Sequence, residues 1–140
     1  MTQHPLNLLI VSSEAVPYAK TGGLADVAGA LPLALAKLGH DVILLLPRYR
    51  CVSESSRSFR SVCRLHVPTP QGSIDTLIEE DVISVGEGEC QVRVWTIRND
   101  AFFDRPGLYQ DRSNDYPDNL DRFSFFCRAT IEVIAYLRTA

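Results

Sequence analysis

A chain of 140 residues with 46% hydrophobic and 22% charged side chains has an ordinary globular composition, enough for one domain with a real core but not for two. Fourteen Lys and Arg against seventeen Asp and Glu give a net charge of -3, from which no footprint for nucleic acid follows, since backbone binding needs clustered Lys and Arg. The longest apolar runs, Leu8 to Val11 and Val42 to Leu46, fall far short of the roughly 20 residues that cross a bilayer, so no membrane span is expected.

In chain order, Asn7 to Ser12 is a continuous apolar run and predicts a strand buried on both faces of a parallel sheet. Ser13 to Gly23 reads as a loop. Leu24, Val27, Ala28, Leu31, Leu35 and Leu38 then recur at helical spacing as one apolar stripe, and Gly39 ends the helix. Pro32 lies inside that stretch without an N–H to donate, which predicts a kink or a break. Val42 to Leu46, closed by Pro47, is a second buried strand, so the chain opens with a βαβ unit whose crossover should be right-handed. Ser61 to Val67, Ser73 to Val85 and Cys90 to Ile97 are β-rich stretches separated by Pro68–Gly72 and Gly86-Glu87-Gly88, which predicts hairpin-like pairing. Asn99 to Pro117 is a long polar and aromatic loop, a length usually reserved for function. Asp118 to Leu137 reads as a helix with Asp118 as N-cap, Asp121 in the first turn, and Phe123, Phe126, Ile131, Ile134 and Leu137 toward the core. The pattern as a whole is an α/β fold: a Rossmann-like open sheet with a parallel core and an added β-hairpin region.

Cys51, Cys63, Cys90 and Cys127 are scattered without a C-x-x-C pair, which predicts reduced thiols and a reducing compartment. Six residues precede the first strand, so no leader peptide is expected.

The segment richest in chemistry is Lys20-Thr21-Gly22-Gly23-Leu24-Ala25-Asp26, joining the first strand to the first helix. Ligands of open α/β sheets bind beyond the carboxyl ends of the strands. Adjacent glycines let the backbone approach an anion, N–H groups at the helix start point at it, and Lys20 adds a full positive charge. These parts describe a diphosphate cradle; a tight turn with a solvated lysine fits the residues equally well. A dinucleotide fingerprint is missing, and Ala19-Lys20-Thr21 lacks the glycines of a Walker A motif.

The run Ser13-Glu14-Ala15-Val16-Pro17-Tyr18-Ala19-Lys20-Thr21-Gly22-Gly23-Leu24-Ala25-Asp26-Val27 closely resembles the opening motif of bacterial glycogen synthases and plant starch synthases. Gly29-Ala30-Leu31-Pro32, Gly39-His40-Asp41-Val42, Phe102 to Tyr109 and Tyr116-Pro117-Asp118-Asn119 continue the resemblance along nearly the whole chain, with Ala15 standing where the family often has methionine. The resemblance implies one part of the amino-terminal half of a two-domain GT-B glycosyltransferase. It implies transfer of glucose from ADP-glucose or UDP-glucose to the non-reducing 4-OH of an α-1,4-glucan, with retention. Lys20 would hold the donor phosphate, Gly22 and Gly23 would offer N–H groups, and Tyr109 would contact sugar. Glu14 and Asp26 are further substrate-binding candidates. The same resemblance implies no cofactor beyond the donor, no metal, and a cytoplasmic location, or the plastid stroma in a plant or alga. Residues 1–140 would be a partial amino-terminal domain without the carboxy-terminal one and without a catalytic residue of its own. Such a piece should be inactive alone and prone to self-association.

Other constellations are weaker. Asp111, Ser113 and Asp115 begin a calcium-loop spacing, but Tyr116 and Arg122 stand where glycine and glutamate are needed. There is no Asp-x-Asp, and His4, His40 and His66 lack ligand spacing. A stand-alone α/β phosphate-binding or regulatory module remains the alternative. A glucan-binding module is disfavoured, because the single tryptophan, Trp95, falls in a predicted strand.

Overall fold

In the computed structural model, which describes residues 4–140, the first apolar run forms strand β1 (Asn7–Val11), parallel to β2 (Asp41–Pro47). Helix α1 (Gly23–Lys37) connects them, and the short α2 (Arg50–Ser53) follows β2. The β-rich middle forms β3 (Arg60–Thr69), β4 (Gly72–Val85) and β5 (Cys90–Arg98). β4 pairs antiparallel with both β3 and β5, and β5 also pairs in parallel with β2. The expected hairpin region and parallel core are thus one five-stranded sheet in the order β1-β2-β5-β4-β3. Beyond β5 come α3 (Asp100–Phe103), a small hairpin of β6 (Gln110–Asp111) and β7 (Asn114–Asp115), and α4 (Asn119–Thr139). The long loop expected over Asn99–Pro117 therefore contains a helical turn and a hairpin. No helix among the described residues is long and apolar enough to cross a membrane.

Three expectations need correction. First, β1 is not buried on both faces: it lies at the sheet's edge and is only partly covered, whereas β2 is buried along nearly its whole length. Second, α1 runs through Pro32 without a break, and the face it packs shares only Ala28 and, in part, Leu35 with the expected stripe. Ala25, Ala28, Gly29, Pro32 and Ala36 are buried, while Leu24, Val27, Leu31 and Leu38 are exposed. Small residues win because the loop after β1 crosses the helix at very short range. A Cβ on Gly29 would lie 2.4 Å from Val16 Cγ2 and 2.6 Å from the Val16 carbonyl oxygen. Burial of the Pro32 ring sets packing against its one missing hydrogen bond. Third, the fully buried face of α4 is Arg122, Phe125, Phe126, Ala129 and Val133; Phe126 is inward as expected and Phe123 and Leu137 pack partly on the core, but Ile131 and Ile134 are exposed. Asp118 does occupy the N-cap position, but its carboxylate pairs with Arg105 at 2.6 and 2.7 Å instead of capping the helix.

The phase of α4 is set by Arg122, whose side chain is fully buried. Its guanidinium donates to the carbonyls of Phe102 (2.6 Å) and Leu108 (2.9 Å) and to Asn119 Oδ1 (2.7 Å). It also lies over the rings of Tyr116, Phe123 and Phe103, at 4.7, 5.2 and 5.4 Å from their centroids. Five planar donors suit this work, since Arg keeps its charge and serves several acceptors at once. The segment between α3 and α4 is thereby gathered around one cation.

Two substitutions test these packing arguments. Arg122→Met should lower the free energy of unfolding by about 3 kcal/mol, because buried carbonyls lose their donor; urea denaturation measures it. Gly29→Ala improves helix propensity by up to about 1 kcal/mol, yet should be net destabilising by about 1–3 kcal/mol, because the clash involves backbone. A rise in Tm for Gly29→Ala would contradict the close crossing.

Candidate functional site

Beyond the end of β1 the backbone N–H of Ser12 still reaches the Leu45 carbonyl, and then the chain folds into a tight loop. Tyr18 and Ala19 donate their N–H groups to the Ala15 carbonyl, and Val16 N–H donates to Ala25 of α1. The Tyr18 hydroxyl donates to Asp81 of β4 at 2.6 Å, pinning the back of the loop to the sheet. The loop so braced delivers Lys20, Thr21 and Gly22 to the start of α1.

Gly22 is the N-cap of α1, and no side chain caps the helix. Neither Gly22 nor Gly23 has a positive φ, and a Cβ at either would meet nothing within 4 Å. Glycine here answers to no steric requirement of the fold, and the space beside it is open. Lys20 lies on this exposed loop, as expected, and its ammonium bridges both oxygens of Asp26 at 2.8 and 2.9 Å. Those side chains are 51% and 58% exposed, so the pair is weak and exchangeable.

Glu14, only 2% exposed, lies beneath the loop. Its Oε1 accepts the N–H groups of Thr21 and Gly22, both at 3.1 Å. Its Oε2 accepts the Thr21 hydroxyl at 2.7 Å and the Tyr109 hydroxyl at 2.6 Å. Burial pushes this carboxyl's pKa up, but the bonds from Tyr109, Thr21 and Gly22 outweigh it and bring it down to about 2. Burial and the adjacent carboxylate push the Tyr109 phenol up to about 12. That hydroxyl also lies 2.7 Å from Ser13 Oγ, so it is turned inward. What Tyr109 presents to the outside is its ring.

Sequence reasoning proposed Lys20, Gly22, Gly23, Tyr109, Glu14 and Asp26, and the fold brings all six to one place. A cleft of about 480 Å³ opens between the glycine loop and the segment after α3, with Lys20 and Thr21 on one wall and Leu108, Tyr109 and Arg112 on the other. Arg112 was missed. It sits at the tip of the β6–β7 hairpin with φ 58, in the left-handed region that non-glycine residues rarely occupy. Its only trace in sequence is a polar run between two acidic residues. Those residues, Asp111 and Asp115, belong to the hairpin strands rather than to a calcium loop.

The family described as the starch synthase catalytic domain matches residues 7–139. A glycogen synthase of Syntrophotalea carbinolica is 42% identical over 133 residues, covering 92% of this chain and 26% of that protein. A glycogen synthase of Aeromonas hydrophila is 39% identical over 143 residues, covering 100% of this chain and 28% of its own length. Among solved structures, the catalytic domain of starch synthase IV from Arabidopsis thaliana, bound to ADP and acarbose, superposes with a TM-score of 0.73 at 29% identity. That match covers 95% of this chain and 26% of the plant one. The chain thus spans about a quarter of the length of the relatives it matches.

The depressed pKa of Glu14 has a definite consequence for stability. Folding lowers it from 4.5 to about 2, so the ionised carboxylate contributes its full stabilisation above pH 4.5 and loses it as pH falls through 2. The stability gap between wild type and Glu14→Gln should be widest above pH 4.5, of order 3 kcal/mol, and close toward pH 2. Denaturation of both proteins across that range measures it; a gap that stays constant would contradict an ionised Glu14.

Proposed function

This chain belongs to the starch synthase catalytic domain family, and on that premise we propose that its glycine loop grips the diphosphate of a nucleotide-sugar donor. The reaction served is glucosyl transfer from ADP-glucose, or UDP-glucose, to the non-reducing end of an α-1,4-glucan with retention. The observation that carries this reading is the uncapped start of α1 beside the exposed Lys20 ammonium. Backbone N–H groups at a helix N-terminus favour an anion, and Lys20 can exchange Asp26 for phosphate. Negative charge builds on the diphosphate as its bond to the sugar breaks, and a cation already in place lowers the barrier. Lys20 supplies that charge, so no cofactor is assigned. The plant relative's complex with ADP and acarbose supports a site for nucleotide and glucan-like ligands in this family. The position of Tyr109 on the facing wall supports a contact between its ring and the sugar.

Transfer needs the acceptor held against the donor in a closed, water-poor site. The chain alone, matching a quarter of its relatives' length, is read as a partial domain that binds ADP weakly and does not transfer glucose. It would act in the cytoplasm, or in the stroma of a plastid. The exposed aliphatic face of α1 supports self-association.

Two measurements test this. Titration with ADP, followed by amide resonances, should move Gly23 and Leu24 with a Kd of about a millimolar, and Lys20→Ala should weaken binding several-fold, as expected for one charge-assisted contact worth roughly 1.5–3 kcal/mol with a solvent discount. Unaltered binding by Lys20→Ala would sink the cradle. Labelled ADP-glucose and a glucan primer should give no incorporation above the Lys20→Ala control; any excess would overturn the partial-domain reading.

A further inference from the structure

We propose that Glu14 is a positioning residue whose single carboxylate fastens the glycine loop to the Tyr109 segment, so that the two walls of the cleft respond to a ligand as one body. The inference rests on the diphosphate reading and adds a role for a residue that does not itself line the cleft.

The geometry is that of a clamp. One carboxylate oxygen holds two N–H groups of the glycine loop, and the other holds one hydroxyl from that loop and one from a residue 95 positions later. Only an ionised carboxylate accepts from four donors at once; an amide in its place has one acceptor oxygen and must present an NH2 group to the two hydroxyls. Glu14 is anchored from its own side, because its carbonyl accepts the Ser12 hydroxyl at 2.7 Å and the Ser13 carbonyl accepts the Tyr49 hydroxyl at 2.7 Å. The far wall is equally anchored: Asn119 Nδ2 donates to the Tyr109 carbonyl at 2.9 Å, and the Tyr109 ring packs on Phe123 at 5.7 Å. Between two braced segments the carboxylate is the polar link that also holds the glycine loop; Ser13 Oγ, 2.7 Å from the Tyr109 hydroxyl, touches Tyr109 but not Thr21 or Gly22. An anion that draws the start of α1 toward itself shifts Thr21 and Gly22, and the shared carboxylate passes that displacement to Tyr109. The same arrangement fixes where the anion can sit. Glu14 already occupies the N–H groups of Thr21 and Gly22, which leaves the outer amides of Gly23 and Leu24 for a ligand.

The test uses inorganic pyrophosphate, which carries the diphosphate charge without a sugar or a base, and the isotopically labelled chain. In wild type, pyrophosphate should shift the amides of Gly23 and of both neighbours of Tyr109, Leu108 and Gln110, along a common saturation curve. In Glu14→Gln the Gly23 shift should persist at saturating pyrophosphate while the Leu108 and Gln110 shifts fall to less than half. Tyr109→Phe cuts the same link from the other end, and the Ser13 contact with it, without altering the ring, and should give the same loss even if Glu14→Gln folds poorly; Ser13→Ala removes the Ser13 contact alone and should leave the Leu108 and Gln110 shifts in place. Equal responses of Leu108 and Gln110 in wild type and Tyr109→Phe would overturn the clamp while leaving the diphosphate reading intact. So would a wild type in which only Gly23 responds. If neither pyrophosphate nor ADP moves Gly23, the diphosphate reading falls and the clamp's role falls with it.

Discussion

The parallel pairing of β1, β2 and β5 is the constraint on which the remaining structure depends. Parallel neighbours cannot be joined by a tight turn, so each pair needs a crossover. Helix α1 makes the first. The second is unusual, since most of it is the β3–β4 hairpin, which extends the sheet rather than covering it. Parallel strands also end on the same side. The loop after β1, Tyr49 after β2, and Asn99 with α3 after β5 all emerge at one edge. The Tyr49 hydroxyl reaches the Ser13 carbonyl, and its ring packs edge-on against Phe103 at 5.6 Å. The site is assembled there because the topology leaves these segments nowhere else to meet.

Charge is handled differently at each level of the fold. Along β4, Glu79, Glu80 and Asp81 are consecutive, and each is answered by arginine. Arg48 and Arg98 flank Glu79, Arg60 pairs with Glu80, and Arg57 pairs with Asp81. Buried carboxylates so paired lose less on desolvation than isolated ones would. Arg122 and Glu14 follow another rule: their hydrogen bonds run to polar groups of the chain rather than to an opposite charge, although Arg122 Nη2 is left buried without a hydrogen-bond partner. These last two hold the segments that border the cleft. Long-range order around the cleft therefore comes from two ions bonded to dipoles.

What could be read from the sequence was local. Val42–Leu46 as a buried strand, the turns at Gly72 and Gly86–Gly88, and Lys20-Thr21-Gly22-Gly23 before a helix each announce themselves within a few residues. What could not be read depended on partners far along the chain. Leucines on α1 were expected inward, but the approach of Val16 to Gly29 reserves that face for small side chains. The phase of α4 was only partly read, because a buried arginine looks, in sequence, like a solvated one. Glu14 could be placed near the cleft, but its acceptor role needs Tyr109 beside it, and no local pattern connects the two. Arg112 adopts a conformation that would have been anticipated only for glycine or asparagine.

The single tryptophan sits at the seam of the two halves of the sheet. Trp95 lies on β5, buried, with β2 on one side and β4 on the other. Its indole donates to Glu80 at 2.7 Å, and its ring is 6.1 Å from that of Tyr136 on α4. Light absorbed by this one chromophore therefore samples the parallel core, the antiparallel hairpin and the last helix together. Separation of β4 from β5 hydrates the indole and reddens its emission, whereas fraying at the outer edge of β1 leaves its colour unchanged. The chain carries an internal optical gauge of whether its two kinds of strand pairing come apart together or in turn.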